Sequence, residues 1–79
     1  MRLDKFLKVS RLIKRRTIAN EACDAGRVLV NDKAAKASLN IKQGDVIEIH
    51  FGTSSVKVEV LDVAETVKKD EAKELYRYL

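Results

Sequence analysis

Glu21-Ala22-Cys23-Asp24-Ala25-Gly26-Arg27-Val28-Leu29-Val30-Asn31-Asp32 is the stretch in which the apolar period of the chain changes from that of a helix to that of a strand. On its N-terminal side Ile18, Ala22 and Ala25 recur at i, i+4 and i+7. That spacing predicts a helix from about Arg15 or Arg16 to Ala25, with those side chains on one face. Gly26 supplies the left-handed stop that ends many helices. On the C-terminal side Val28 and Val30 alternate with Arg27 and Leu29. Asn31 and Asp32 then form a tight turn of the kind that tolerates positive φ.

Working outward, Leu3, Phe6 and Leu7 at i, i+3 and i+4 predict a first short helix from about Leu3 to Ser10. Downstream, Gly44 and Asp45 make a turn, and Ile47, Ile49 and Phe51 alternate with Val46, Glu48 and His50. Gly52, Thr53 and Ser54 reverse the chain, and Val56, Val58 and Val60 alternate with Lys57 and Glu59, so Val46 to Leu61 reads as an antiparallel hairpin. Ala72, Leu75, Tyr76 and Leu79 fit a C-terminal amphipathic helix, with Asp70 and Glu71 early and Arg77 late as the macrodipole favours. The expected fold class is α+β: two packed N-terminal helices on a small, mostly antiparallel sheet, with a C-terminal helix. The expected organisation is one domain over 1–79, with a core over 1–45, a strand hairpin over 46–63 and the C-terminal helix over 66–79.

A chain of 79 residues builds only a small core. Cys23 is the single cysteine, so no disulfide can form within the chain, and no Cys/His cluster could hold zinc. Packing must therefore supply a stability of roughly 4 to 12 kcal/mol, and no metal or cofactor is expected. Charges interrupt every apolar stretch well before the ~18 residues a membrane span requires. Asp4, Lys5, Lys8 and Arg11 break up any secretory signal. The expectation is a cytoplasmic protein without a membrane partner.

The net charge of +4 is polarised along the chain. Through residue 42, eleven bases face four acids, a net +7; beyond it five bases face eight acids, a net −3. The first sixteen residues hold seven bases (Arg2, Lys5, Lys8, Arg11, Lys14, Arg15 and Arg16) against Asp4 alone. Solvation of a small domain explains most charge runs, but an excess of this size favours a polyanionic partner, because each neutralised phosphate releases condensed counterions. These bases recur too closely for one helical stripe and can line the exposed side of two short helices joined by a bend. Engagement of about six phosphates would make log K fall with log salt at a slope of about −4 to −5.

Arg2-Leu3-Asp4-Lys5-Phe6-Leu7, Arg11, Arg16-Thr17-Ile18-Ala19, Gly26-Arg27-Val28-Leu29-Val30-Asn31 and Lys42-Gln43-Gly44-Asp45 occur in that order. Over these residues the chain resembles the S-four-type RNA-binding domain, also called the alpha-L RNA-binding motif, over more than half its length. The resemblance implies two helices packed on a small sheet, with RNA against the helix pair and the nearby loop. The RNA-binding residues it implies are Arg2, Asp4, Lys5, Lys8, Arg11, Lys14, Arg15, Arg16 and Lys36. Within that family, the start from Arg2 to Lys8 and the run from Arg11 to Thr17 are similar to the stand-alone branch of ribosome-associated quality control that stabilises P-site tRNA. Membership there implies large-subunit rRNA, peptidyl-tRNA, the large ribosomal subunit and an RqcH-like tail-adding factor as partners, during template-free addition of C-terminal alanines. A monomer is expected. The heat-shock-type large-subunit recycling branch is the alternative; it usually carries a basic C-terminal extension, which this sequence, ending in Tyr78-Leu79, does not show.

The family commonly has Gly where this chain has Asp32. Asp visits the left-handed region, so the turn should survive, with an acid placed near the RNA face. Asp4 has two readings: it orients Arg11 or Arg16 by a charge-assisted hydrogen bond, or it stabilises the first helical turn through the dipole. His50 beside Glu48 has no nucleophile, metal partner or cofactor loop near it in sequence and reads as a solvated strand residue. Cys23 reads as a small core hydrophobe. Phe6 and Tyr76 fall on apolar faces, while Tyr78 lies off that face and could stack on a base. No catalytic group is expected, since paired carboxylates, a nucleophile with its base and a phosphate-cradling Gly loop are all missing from the sequence. A DNA-binding helix-turn-helix would present Asn20, Glu21 and Asp24 from its second helix, a poor surface for phosphate.

Overall fold

The computed structural model describes residues 1–79. Helix α1 spans Leu3–Val9 and α2 spans Arg16–Asp24. Strands β1 (Val28–Val30), β2 (Lys33–Ala34), β3 (Val46–Phe51), β4 (Ser54–Val60) and β5 (Tyr76–Tyr78) form one antiparallel sheet in the order β2-β1-β3-β4-β5. No helix is long and apolar enough to cross a membrane.

The two-residue period expected after Gly26 becomes a register. Val28 pairs with Ile49 and Ile49 with Val56; Val30 pairs with Ile47, Ile47 with Val58, and Val58 with Tyr78. Directly opposed residues share a face, so these side chains form continuous apolar rows on one side of the sheet. Leu3, Phe6 and Leu7 of α1 and Ala19 and Cys23 of α2 join the same core, with Ile13, Ala35, Ala37, Ile41 and Leu75 contributed by the connections. The other side of the sheet carries Glu48, Lys57, Glu59 and Arg77, with Arg77 Nε donating to Glu59 Oε1 at 2.6 Å.

The β1–β2 turn survives the Asp for Gly replacement. Asn31 and Asp32 both take left-handed backbone, φ 52° and 70°, as a two-residue hairpin loop requires. Asn31 is also tied from its side chain: its Nδ2 donates to Asp45 Oδ1 at 3.2 Å and its Oδ1 accepts from the Val46 N–H at 3.0 Å. That network fixes the start of β3 against the end of β1.

Two expectations are corrected. The C-terminal helix over 66–79 is instead a short 3-10 turn at Ala72–Leu75 followed by β5. Ala72 and Leu75 at i, i+3 suit a 3-10 turn as well as a helix, while Tyr76 and Tyr78 favour a strand. β5 also satisfies an edge of β4 that a helix would leave open. Second, the inner face of α2 is Ala19 and Cys23, both buried, whereas Ile18 is 49% exposed and Ala25 is exposed. The small Ala19 lets α2 approach α1 closely, and that contact sets the helix phase. Phe51 lies on the same face as Ile47 and Ile49, as its alternation with them implies, but at the hairpin end, where it is exposed. Tyr78 is exposed too, its ring edge-on to Tyr76 with centroids 5.4 Å apart.

Candidate nucleic-acid interface

An α-helix starts with N–H groups that have no partner within the helix, and α1 has no side-chain cap from Arg2. The first two of those donors go to a loop: Leu3 N donates to Leu39 O at 2.8 Å and Asp4 N to Ala37 O at 3.1 Å. The third, Lys5 N, donates to Asp4 Oδ1 at 2.8 Å. The 35–40 loop that carries Lys36 is thereby fastened to the start of α1.

Asp4 is the centre of the arrangement. It is 2% exposed, yet it carries a charge that burial alone would penalise. Arg2 donates to it through Nε at 3.2 Å and Nη2 at 3.3 Å. Arg16, the first residue of α2, donates through Nη2 at 3.3 Å, and its Nε lies 3.3 Å from the other carboxylate oxygen. Asn20 Nδ2 adds a further bond at 3.3 Å. Burial pushes the Asp4 carboxyl up, but the hydrogen bonds from Arg16, Arg2 and Asn20 outweigh it and hold the group below the usual carboxylate range. Asp4 bonds Arg16, not Arg11, and also accepts from the Lys5 N–H in the first turn of α1.

The consequence is a pair of oriented guanidinium groups. The Arg2 and Arg16 side chains stay 49% and 44% exposed while Asp4 grips them from below. Each guanidinium has five N–H donors, and no more than two of them face Asp4. At least three per arginine remain for an oxyanion in a planar fork that suits phosphate. Thr17, Asn20 and Glu21 complete a shallow concavity around the pair.

The other expected residues divide among different places. Lys8, Arg11 and Lys14 line a second cleft of about 590 Å³ together with Glu65, Val67 and Lys69. Lys5 pairs with Glu65, and that ammonium holds the Glu65 carboxyl below its ordinary value. Lys36 lines a third concavity with Lys33 and Lys42. Arg15 is the exposed N-cap of α2 and lines none of the three. Asn20 and Lys69 were missed by the sequence reading. Asn20 sits four residues after Arg16 on the same helical face, a detectable signal; Lys69 lies over fifty residues from the basic run and carries no such signal.

Two residues show no reactive chemistry. Cys23 is buried, and burial first, then the charges of Asp4 and Asp24, push its thiol up to about 11, so it stays protonated as a small core group. His50 Nε2 lies 2.8 Å from Glu48 Oε2, a side-chain pair on the polar side of the sheet.

Known proteins are similar to this chain in sequence and in fold. The S4 domain family matches residues 1–47. The RQC P-site tRNA stabilizing factor of Halalkalibacterium halodurans is 59% identical over 76 residues, covering 96% of this chain and 86% of the relative. The factor of the same name from Bacillus subtilis strain 168 is 53% identical over 79 residues, covering 100% of this chain and 92% of the relative. The trimeric structure of Vibrio cholerae heat shock protein 15 superposes with a TM-score of 0.93 at 29% identity, covering 100% of this chain and 81% of that one. With an arginine pair clamped on a buried aspartate at the head of that domain and identity sustained over its whole length, this chain belongs to the S4-domain family of RQC P-site tRNA stabilizing factors.

Proposed function

We propose that the protein is a non-enzymatic RNA-binding factor that associates with the obstructed large ribosomal subunit and stabilises peptidyl-tRNA in the P site. It does so beside an RqcH-like tail-adding factor while alanines are added without a template. The observation that carries this reading is the Arg2–Asp4–Arg16 clamp, which presents two half-exposed guanidinium groups from a fixed base. Stabilisation of this kind requires an oriented grip on RNA, not a reactive group. Around the clamp, Lys5, Lys8, Arg11, Lys14, Arg15 and Lys36 add charge toward large-subunit rRNA and tRNA, and Asp4 acts by positioning the arginines. The place of action is the cytoplasm, and the working unit is a single copy, although the Vibrio cholerae relative is trimeric.

A helix-turn-helix reader of DNA fits the surface less well. The outer side of α2 exposes Ile18, Glu21 and Asp24, and the two acids would meet phosphate with like charge. Cross-linking in cells with sequencing of the bound RNA tests the proposal. Recovery of tRNA together with large-subunit rRNA is expected; recovery of mRNA or DNA alone would overturn it.

A further inference from the structure

The sheet has two free edges, and they are not alike. β2 closes one of them with only Lys33 and Ala34 before the chain turns into the loop fastened to α1, so that edge is short and charged. β5 forms the other and presents Tyr76, Arg77 and Tyr78. In an antiparallel pair alternate residues bond the neighbouring strand, and the backbone groups of the rest point away from it. Leu75 O accepts from Leu61 N at 2.8 Å and Leu79 N donates to Lys57 O at 2.9 Å, so Leu75, Arg77 and Leu79 face β4. The N–H and C=O groups of Tyr76 and Tyr78 therefore point to the open edge, where no segment of the chain bonds them.

We propose that the β5 edge takes a sixth strand from a protein partner, an extended segment in which an acidic residue stands between two apolar ones. In strand addition the main-chain bonds supply affinity and the alternate side chains supply selectivity. Tyr76 and Tyr78 lie opposite Val60 and Val58 on the apolar face, and Tyr78 is exposed, so the two apolar residues of the segment meet aromatic rings. On the other face the charges alternate from strand to strand: Glu48 stands opposite Lys57, and Glu59 opposite Arg77. Arg77 is the last of its row. Its Nε is held by Glu59, its side chain is more than half exposed, and its other guanidinium donors have no partner in the chain. An acid across from it continues the alternation, whereas a base sets like charges side by side. A second copy of the chain fits poorly by the same rule, because two β5 strands in full antiparallel overlap pair about Arg77 and oppose their guanidinium groups. The edge is separate from the RNA surface, since none of its three residues lines the concavities around the helix pair.

The test is heteronuclear NMR of the full chain with two capped peptides, Val-Glu-Val-Glu-Val and Val-Lys-Val-Lys-Val, added to millimolar concentration at low salt. The glutamate peptide should shift the Tyr76 and Tyr78 amide signals, slow their hydrogen exchange and bind about five- to tenfold more tightly than the lysine peptide. Arg77→Gln should erase that preference and Arg77→Glu invert it. Tyr78→Pro removes an outward N–H without removing a bond to β4, so it should abolish peptide binding in a protein that melting shows to be folded. Both Arg77 variants should hold tRNA affinity within a few fold of wild type, so that strand addition and the RNA reading fail separately. Equal binding of the two peptides, signals that move only outside β5, or no binding of either peptide would each overturn the proposal. Loss of tRNA binding in Tyr78→Ala, with β5 silent to both peptides, would replace the strand with a base stacked on the exposed ring.

Discussion

Asp4 is nearly inaccessible to water and stays ionised because two guanidinium groups, an amide and a backbone N–H replace its hydration. Its folded pKa lies below the unfolded value of about 3.9. The stability it contributes is therefore complete above that value and is lost as pH falls through the folded pKa. Asp4→Asn should cost about 1 to 3 kcal/mol at neutral pH. Thermal melts of the two proteins should converge as pH falls through the folded pKa of Asp4 and the wild-type carboxylate takes up its proton; a gap that persists once it is protonated would mean that the residue acts through shape. Arg11 makes the opposite case. It holds φ 64° at the end of α1, a left-handed position like that of Gly26 after α2. A residue with a Cβ is strained there by about 1 to 2 kcal/mol, partly offset by the extra freedom of Gly in the unfolded chain. Arg11→Gly should therefore raise the melting temperature by a few degrees while weakening RNA binding, a separation that melting and binding curves read directly.

At the scale of elements, the residues whose partners are close in sequence were legible. The 3.6-residue spacing of Leu3, Phe6 and Leu7 gave α1, and the alternation of Val28, Val30, Ile47, Ile49, Val56, Val58 and Val60 gave the sheet, down to the left-handed pair at Asn31 and Asp32. The chain beyond Leu61 was not legible, because what decides it is the open edge of β4. Pairing of Val60 with Tyr76 and Val58 with Tyr78 converts an apparently helical pattern into a strand. Leu75 anchors that return: it is buried, and its carbonyl accepts from Leu61 N at 2.8 Å. Leu75→Ala should cost about 2 to 5 kcal/mol by urea denaturation, a large share of what a chain this size has. A change under about 0.5 kcal/mol, the usual range for a surface site, would contradict the placement of β5. In the candidate site, the basic residues were visible as a run, but their division between two concavities was not. That division depends on a one-residue step around α1 and on Lys69 and Glu65 arriving from the far end of the chain.

For the whole molecule, the polarised charge becomes spatial: the helix pair and the 35–42 loop carry the bases, and the far side of the sheet carries the Glu59–Arg77 and Glu48–His50 pairs. The core beneath is shared, since Phe6, Ile47 and Leu75 belong to one cluster, so the fold acts as a rigid mount for the clamp. Arg16 ties stability to function, because its half-exposed side chain supports no core packing yet is a partner of the buried Asp4 carboxylate. The central claim is best tested by co-sedimentation of Arg16→Ala and the wild-type protein with large ribosomal subunits carrying peptidyl-tRNA, alongside melting curves. A loss of binding of about tenfold, the size of one charged hydrogen-bond contact of roughly 1.5 kcal/mol, in a variant that melts below wild type yet is fully folded at the assay temperature, is the predicted result. Equal co-sedimentation of the two proteins would contradict the account.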